Sequence, residues 1–213
     1  LCGMLHTFPQ TAASELELNV HRLPNLAQII SASHAGIVSG LPLAESMLYF
    51  PRSGWLAPKA LCQALLSHPN IKLVKDAFEG FVPSEGGKQI QCARQILQVD
   101  ALVFSAGIHT KDLIPELVLP TKAIRGQTTQ IPKIETIKSA LCHQGYIAPA
   151  AAGEHCIGAT FDLDDPDLLP RDSSDQENLE KLEAFLSVNP TRILGHRVGF
   201  RCTTPDYMPI VGQ

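Results

Sequence analysis

From Ser14 to Ser33 the apolar residues Leu16, Val20, Leu23, Leu26, Ile29 and Ile30 recur at helical spacing, and Pro24 predicts a break or bend in that helix. Between Ala35 and Pro51 the pattern changes to short apolar runs punctuated by Gly36, Gly40 and Pro42, which predicts a pair of strands. Pro58 sits where the first turn of a helix is expected, carried on by Leu61, Leu65 and Leu66 and ended near His68-Pro69-Asn70. Strands follow at Ile71 to Val74, Phe78 to Pro83 and Gln89 to Ile96, with a turn at Gly86-Gly87, and a buried strand from Ala101 closes on Ala106-Gly107. A helix, a meander and a strand ending in small residues is how nucleotide-binding α/β domains present a ligand at their strand ends.

Beyond Pro120 the signal is strand-rich again, at Ala123 to Ile131, Gly145 to Pro149 and His155 to Thr160. Asp162 to Asp175 reads as a solvated acidic loop, and Ser173-Ser174 as the cap of a helix through Leu179, Leu182 and Phe185. The last stretch, Arg197 to Gly212, reads as a strand that delivers Arg201 to a tight loop. Helix and strand signals interleave along the chain. Two domains would therefore be joined by several crossings rather than by one linker.

Composition narrows this picture. With Lys+Arg at 17 and Asp+Glu at 21 the net charge is -4, so no global field favours nucleic acid or an anionic membrane. The 6 cysteines have no paired short spacings, which predicts reduced thiols and a cytoplasmic protein. No apolar run reaches membrane-spanning length, and no membrane partner is expected. The chain begins without methionine and stops at Val211-Gly212-Gln213, directly after a strand-like run, so it is expected to be part of a longer one. Unpaired strand edges would then favour self-association.

No glycine-rich dinucleotide fingerprint, phosphate loop or His-Glu-x-x-His is present. Cys142-His143 and His155-Cys156 raise the possibility of a metal. Neighbours on a strand point to opposite faces, so each pair offers one ligand per side and no metal site is expected. Arg201 is suited to clamp a carboxylate with its planar fork, or to pair with Asp206 at the surface. Tyr146 either sends its hydroxyl to the same site or is a core tyrosine.

Six stretches occur in an order that resembles the FAD-dependent D-amino acid oxidase and glycine oxidase superfamily. They are Ser53-Gly54-Trp55-Leu56-Ala57-Pro58, Leu102 to Gly107, Arg125-Gly126-Gln127, Gly145-Tyr146-x-x-Pro149, His155 to Thr160, and Gly199 to Gly212. The Arg-Gly-Gln, His-Cys-Ile-Gly-Ala and Arg-Cys-x-Thr-x-Asp forms are similar to the oxidase half of the bifunctional enzymes that make 5-methylaminomethyl-2-thiouridine in tRNA. Ser53 departs from the second glycine usual there, and Pro205 from a basic residue.

The resemblance implies a mixed α+β and α/β fold: part of a Rossmann-like FAD-binding domain interleaved with an antiparallel substrate cap. Residues 1–35 would pack on the FAD domain, 36–53 and 119–200 would form the cap, 54–118 would belong to the FAD domain, and 201–213 would return to it. It also implies an FAD cofactor, oxidation of a secondary amine bearing a carboxylate, and tRNA as the partner carrying that amino-acid-like group. Arg201 and Tyr146 would hold the carboxylate, and Phe78, Ala106, Gly107 and Gly212 would border FAD. The alternatives are an oxidase of free glycine or D-amino acids, and a cap module without activity as isolated.

Overall fold

The computed structural model describes residues 1–9, 11, 13–83, 88–186 and 192–210. In chain order its elements begin with β1 (Met4–His6), α1 (Ala13–Arg22), β2 (Gln28–Ile30), α2 (Ala32–Ser39), β3 (Met47–Phe50) and α3 (Pro58–Leu66). They continue with β4 (Phe78–Val82), β5 (Lys88–Cys92), β6 (Ile96–Val99), a 3-10 turn (Gly107–His109) and α4 (Thr110–Leu113). The remainder comprises β7 (Lys122–Pro132), β8 (Ala140–Cys142), β9 (Tyr146–Ile147), β10 (Glu154–Gly158), α5 (Asp172–Phe185) and β11 (Gly195–Thr203).

The chain divides into two units, each made of two separate stretches: Leu1–Trp55 with Ile124–Phe200, and Leu56–Ala123 with Arg201–Gln213. Residues 1–35, expected on the cofactor side, fold with the first unit, because β1 pairs with both β3 and β8.

The first unit is built on a sheet of strand order β11-β7-β10-β9-β8-β1-β3-β2. One cross-strand row is apolar, Leu5 opposite Leu141, Ile147 and Ile157, and it forms the core with Leu182 and Leu186 of the α5 region. Because side chains alternate between faces along a strand, the next row lies on the opposite face. It runs His6, Cys142, Tyr146, Gly158, Thr128.

Where a strand pair was expected between Ala35 and Pro51, the chain forms α2 and only then β3. The Ser31 hydroxyl accepts from the His34 N–H at 3.3 Å, and Gly40, at φ 79°, donates its N–H to the Gly36 carbonyl. These caps close both helix ends and outweigh the strand preference of Ile37 and Val38.

The second unit carries the three-stranded meander β4-β5-β6 together with α3. Pro58 opens α3 as expected, yet no residue of that helix is buried. Ile71 to Val74 and Ala101 to Ala106 are not strands. Neither has a ladder partner among the described residues, and Leu73 and Val103 are 62% and 82% exposed. An apolar run marks a buried strand only where neighbours pair with its backbone. The turn expected at Gly86-Gly87 lies outside the described residues.

Candidate functional site

Tyr146 stands in the middle of the row opposite the core, 41% exposed. Gly145 sets its strand: a Cβ there would come within 2.9 Å of the Gly158 carbonyl oxygen, so only glycine lets β9 lie this close to β10. The Gly145 carbonyl accepts from the His143 N–H at 2.7 Å and closes the turn before β9. His143 in turn stacks on Phe185 and shares a 2.9 Å hydrogen bond with the Thr7 hydroxyl. In the same row, burial pushes the Cys142 thiol above its ordinary range, which keeps it neutral and a poor nucleophile at neutral pH.

The α5 side of the sheet holds a polar network that sequence reasoning missed. Arg125, fully buried, donates to Asp162 Oδ2 and to the carbonyls of Asp167 and Leu169, each at 2.7 Å, and to Gln127 Oε1 at 3.2 Å. Buried Asp175 accepts from Gln127 Nε2 at 2.8 Å and Thr129 Oγ1 at 2.6 Å, and lies 3.1 Å from His196 Nδ1. Ser173-Ser174 do not cap α5. Its N-cap is Arg171, in extended conformation, whose side chain instead holds Asp165 and Asp167. The acidic run is thus an ordered loop strapped by two arginines.

That strap gives an acid-sensitivity. The Arg171 guanidinium, with the Asp167 N–H, holds Asp165 below its ordinary carboxyl range, and the Leu169 N–H with Arg171 does the same for Asp167. Folded-state values depressed in this way stabilise the fold fully above the unfolded carboxyl range, about pH 4. The contribution is lost as pH falls through the depressed values. Thermal midpoints should therefore drop on acidification below about pH 4, and Arg171→Met should flatten that drop. An identical acid profile for the variant would contradict the assignment.

His155 is fully buried. Its Nε2 accepts from the Ile134 N–H at 2.9 Å while its Nδ1 faces the Ala148 carbonyl at 2.7 Å. Those partners assign the neutral Nδ1–H tautomer and use both ring nitrogens, so neither is available to a metal or a proton in transit.

In the second unit, Phe78 packs edge-on against Phe81 and Phe104, with centroids 5.5 and 5.3 Å away. Ala106 is the residue before the 3-10 turn, and Gly107 holds φ 58°, a left-handed conformation that glycine adopts without strain. Gly107 lines one groove of about 440 Å³ with Cys202 to Thr204 and Tyr207 to Ile210. Arg201, half-buried, immediately precedes that segment. Phe78 does not line this groove, and Gly212 lies outside the described residues.

The loop after Arg201 is pinned from within. Asp206 accepts from the Met208 N–H at 3.1 Å, which holds its carboxyl below the ordinary range, and Thr204 Oγ1 donates to the Met208 carbonyl at 2.8 Å. Tyr207 sits at φ 60° in the bend. A non-glycine residue there costs about 1–2 kcal/mol. It also lines the groove, a feature that the Asp206-Tyr207 dipeptide does not announce.

Among known proteins, the FAD dependent oxidoreductase family matches residues 1–213. The tRNA 5-methylaminomethyl-2-thiouridine biosynthesis bifunctional protein MnmC of Pseudomonas entomophila is 36% identical over 99% of the chain and 35% of its own length. The protein of the same name from Idiomarina loihiensis is 31% identical over 89% of the chain and 33% of its own length. The chain thus spans about a third of the curated relatives it matches. Glycine oxidase from Geobacillus kaustophilus has a similar fold, with TM-score 0.80 at 16% identity, over 99% of the chain and 61% of that structure. L-proline dehydrogenase from P. horikoshii is likewise similar, with TM-score 0.83 at 15% identity, over 99% of the chain and 63% of that structure.

Proposed function

The chain belongs to the FAD-dependent oxidoreductase family, and from that premise we propose that it is the oxidase portion of an enzyme that removes the carboxymethyl group from 5-carboxymethylaminomethyl-2-thiouridine in tRNA. The observation that carries this reading is the 36% identity over 99% of the chain to a protein whose name specifies 5-methylaminomethyl-2-thiouridine biosynthesis, to which the aminomethyl nucleoside is the precursor lacking one methyl group. The first unit is read as the substrate cap and the second as part of the FAD-binding domain.

The groove of the second unit suits part of such a cofactor. Its volume of about 440 Å³ is that of a ligand pocket. Gly107 has nothing within 4 Å of where a Cβ would stand, and the groove pairs the hydroxyl-bearing Thr110, Thr203 and Thr204 with apolar Leu119 and Ile210. Gly107 is therefore assigned to FAD, while Ala106, which precedes it outside the groove lining, Phe78 through its backbone, and Gly212 are carried over from the motifs. When bound, FAD supplies a two-electron acceptor for the methylene carbon between amine and carboxylate, so that hydrolysis of the resulting imine releases glyoxylate and leaves the aminomethyl group.

Arg201 is assigned the substrate carboxylate. A guanidinium offers two parallel hydrogen bonds to one carboxylate and stays charged across the working pH range. Asp206, held ionised within its own turn, helps fix the loop that follows. Tyr146 is assigned as a second donor, its ring held by a strand that glycine positions. No side chain is assigned as a general base: His155 is committed to backbone partners and the Cys142 thiol is kept protonated.

The test is product analysis with the complete FAD-loaded protein and tRNA bearing the carboxymethylaminomethyl group. Glyoxylate should appear in step with the aminomethyl nucleoside. Oxidation of free glycine with the tRNA unaltered would sink the reading.

A further inference from the structure

A groove of about 500 Å³ lies in the first unit between α1 and the sheet, lined among others by Met4, His6, Leu16, Asn19, Leu48 and Phe50. No residue of α1 is buried, and Leu16, facing this groove, is only half-covered. The helix therefore roofs the space without filling it. We propose that this groove takes the pyrimidine ring of the modified nucleoside, which makes it the base-recognition subsite; the proposal rests on the tRNA reading above.

Three observations point to an uncharged flat ring. The volume falls in the range of small-ligand pockets, about 300–1,000 Å³. Among the described residues the lining contains no Lys or Arg and does contain Glu15, which disfavours a phosphate or carboxylate, while Phe8, Phe50 and Leu48 offer the apolar surface a base face needs. Asn19, also in the lining, carries both a donor and an acceptor to complement the N3–H and C4=O edge of uracil.

The position fits as well. His6, in the groove, belongs to the same cross-strand row as Tyr146, two strands away through Cys142. Two strand spacings amount to about 10 Å. From the carboxylate carbon through methylene, amine and methylene to the ring there are four bonds of about 1.5 Å, spanning about 5 Å. A hydrogen bond of about 3 Å to the Tyr146 hydroxyl and the radius of the ring bring the total close to that spacing. A substrate carboxylate bound by Tyr146 would thus set its base over His6.

The experiment measures binding of the free product nucleoside, 5-aminomethyl-2-thiouridine, to the complete FAD-loaded protein by saturation-transfer NMR, alongside turnover of the tRNA. The nucleoside should bind, and Leu16→Glu, on the exposed helix, should weaken it by about ten-fold or more. Phe50→Ala should weaken it from the sheet side, with flavin absorbance and melting midpoint reporting that both variants are folded. Absence of binding, or affinity unchanged in both variants, overturns the groove assignment even if the tRNA is turned over. Binding that depends on Leu16 and Phe50 while the tRNA is untouched supports the subsite and refutes the reaction.

Discussion

Replacing Arg125 with methionine should lower the unfolding free energy by about 3–5 kcal/mol, the range for removing one partner from a buried ion pair. Methionine is of similar length and keeps the packing, so the loss comes from what Arg125 leaves behind. The Asp162 carboxylate and the carbonyls of Asp167 and Leu169 lose donors that reach them at 2.7 Å. Gln127 then loses the guanidinium that helps orient it toward Asp175, so the start of α5 loosens with the loop. Urea unfolding monitored by circular dichroism measures this. A loss below about 1 kcal/mol, the value of an exposed pair, would show that the network is not what holds the loop to β7. Arg125→Lys should recover little, because one ammonium cannot serve acceptors spread around a planar fork.

Arg201→Ala should reduce kcat/KM for the carboxylated substrate by about 100-fold, from a charge-assisted bidentate contact of about 3 kcal/mol. The loss should appear mostly in KM, since the carboxylate is held in the ground state as in the transition state. Flavin absorbance should not change, because Arg201 is not among the residues that line the Gly107 groove. Arg201→Lys should fall between, keeping the charge and losing the fork. Unchanged kinetics in the alanine variant would remove Arg201 from the site.

What could be read in advance was whatever is local. Pro58 announced the start of α3 and Pro24 the break after α1, because each acts on its own backbone, but the helix expected to run on to Ser33 gives way to β2 at Gln28–Ile30, where Ile29 and Ile30 pair with β3. The long alternation of β7, and Gly145-Tyr146 at the start of β9, were equally legible. The three-residue strands β2 and β8 are shorter than any period that could reveal them. The caps of α2 went unread, because Gly40 serves equally as punctuation between short strands.

Arg125 illustrates a different limit. As one residue of Arg125-Gly126-Gln127 it carried a family resemblance but no role, because its acceptors are mainly groups 37 to 44 residues away, including two backbone carbonyls. For the same reason Asp162 to Asp175 read as a solvated face when it is an ordered strap. The α1 groove was invisible because its lining comes from three elements whose apolar residues each look like ordinary core.

The central claim is that a carboxylated amine on tRNA is what the complete FAD-loaded protein acts on. Anaerobic mixing of the complete FAD-loaded protein with matched tRNAs, followed at the flavin absorbance band, tests it most directly. The band should bleach with tRNA bearing the carboxymethylaminomethyl group and stay unchanged with tRNA bearing only the aminomethyl group. Equal bleaching by both, or bleaching by free glycine and by neither tRNA, would contradict the account.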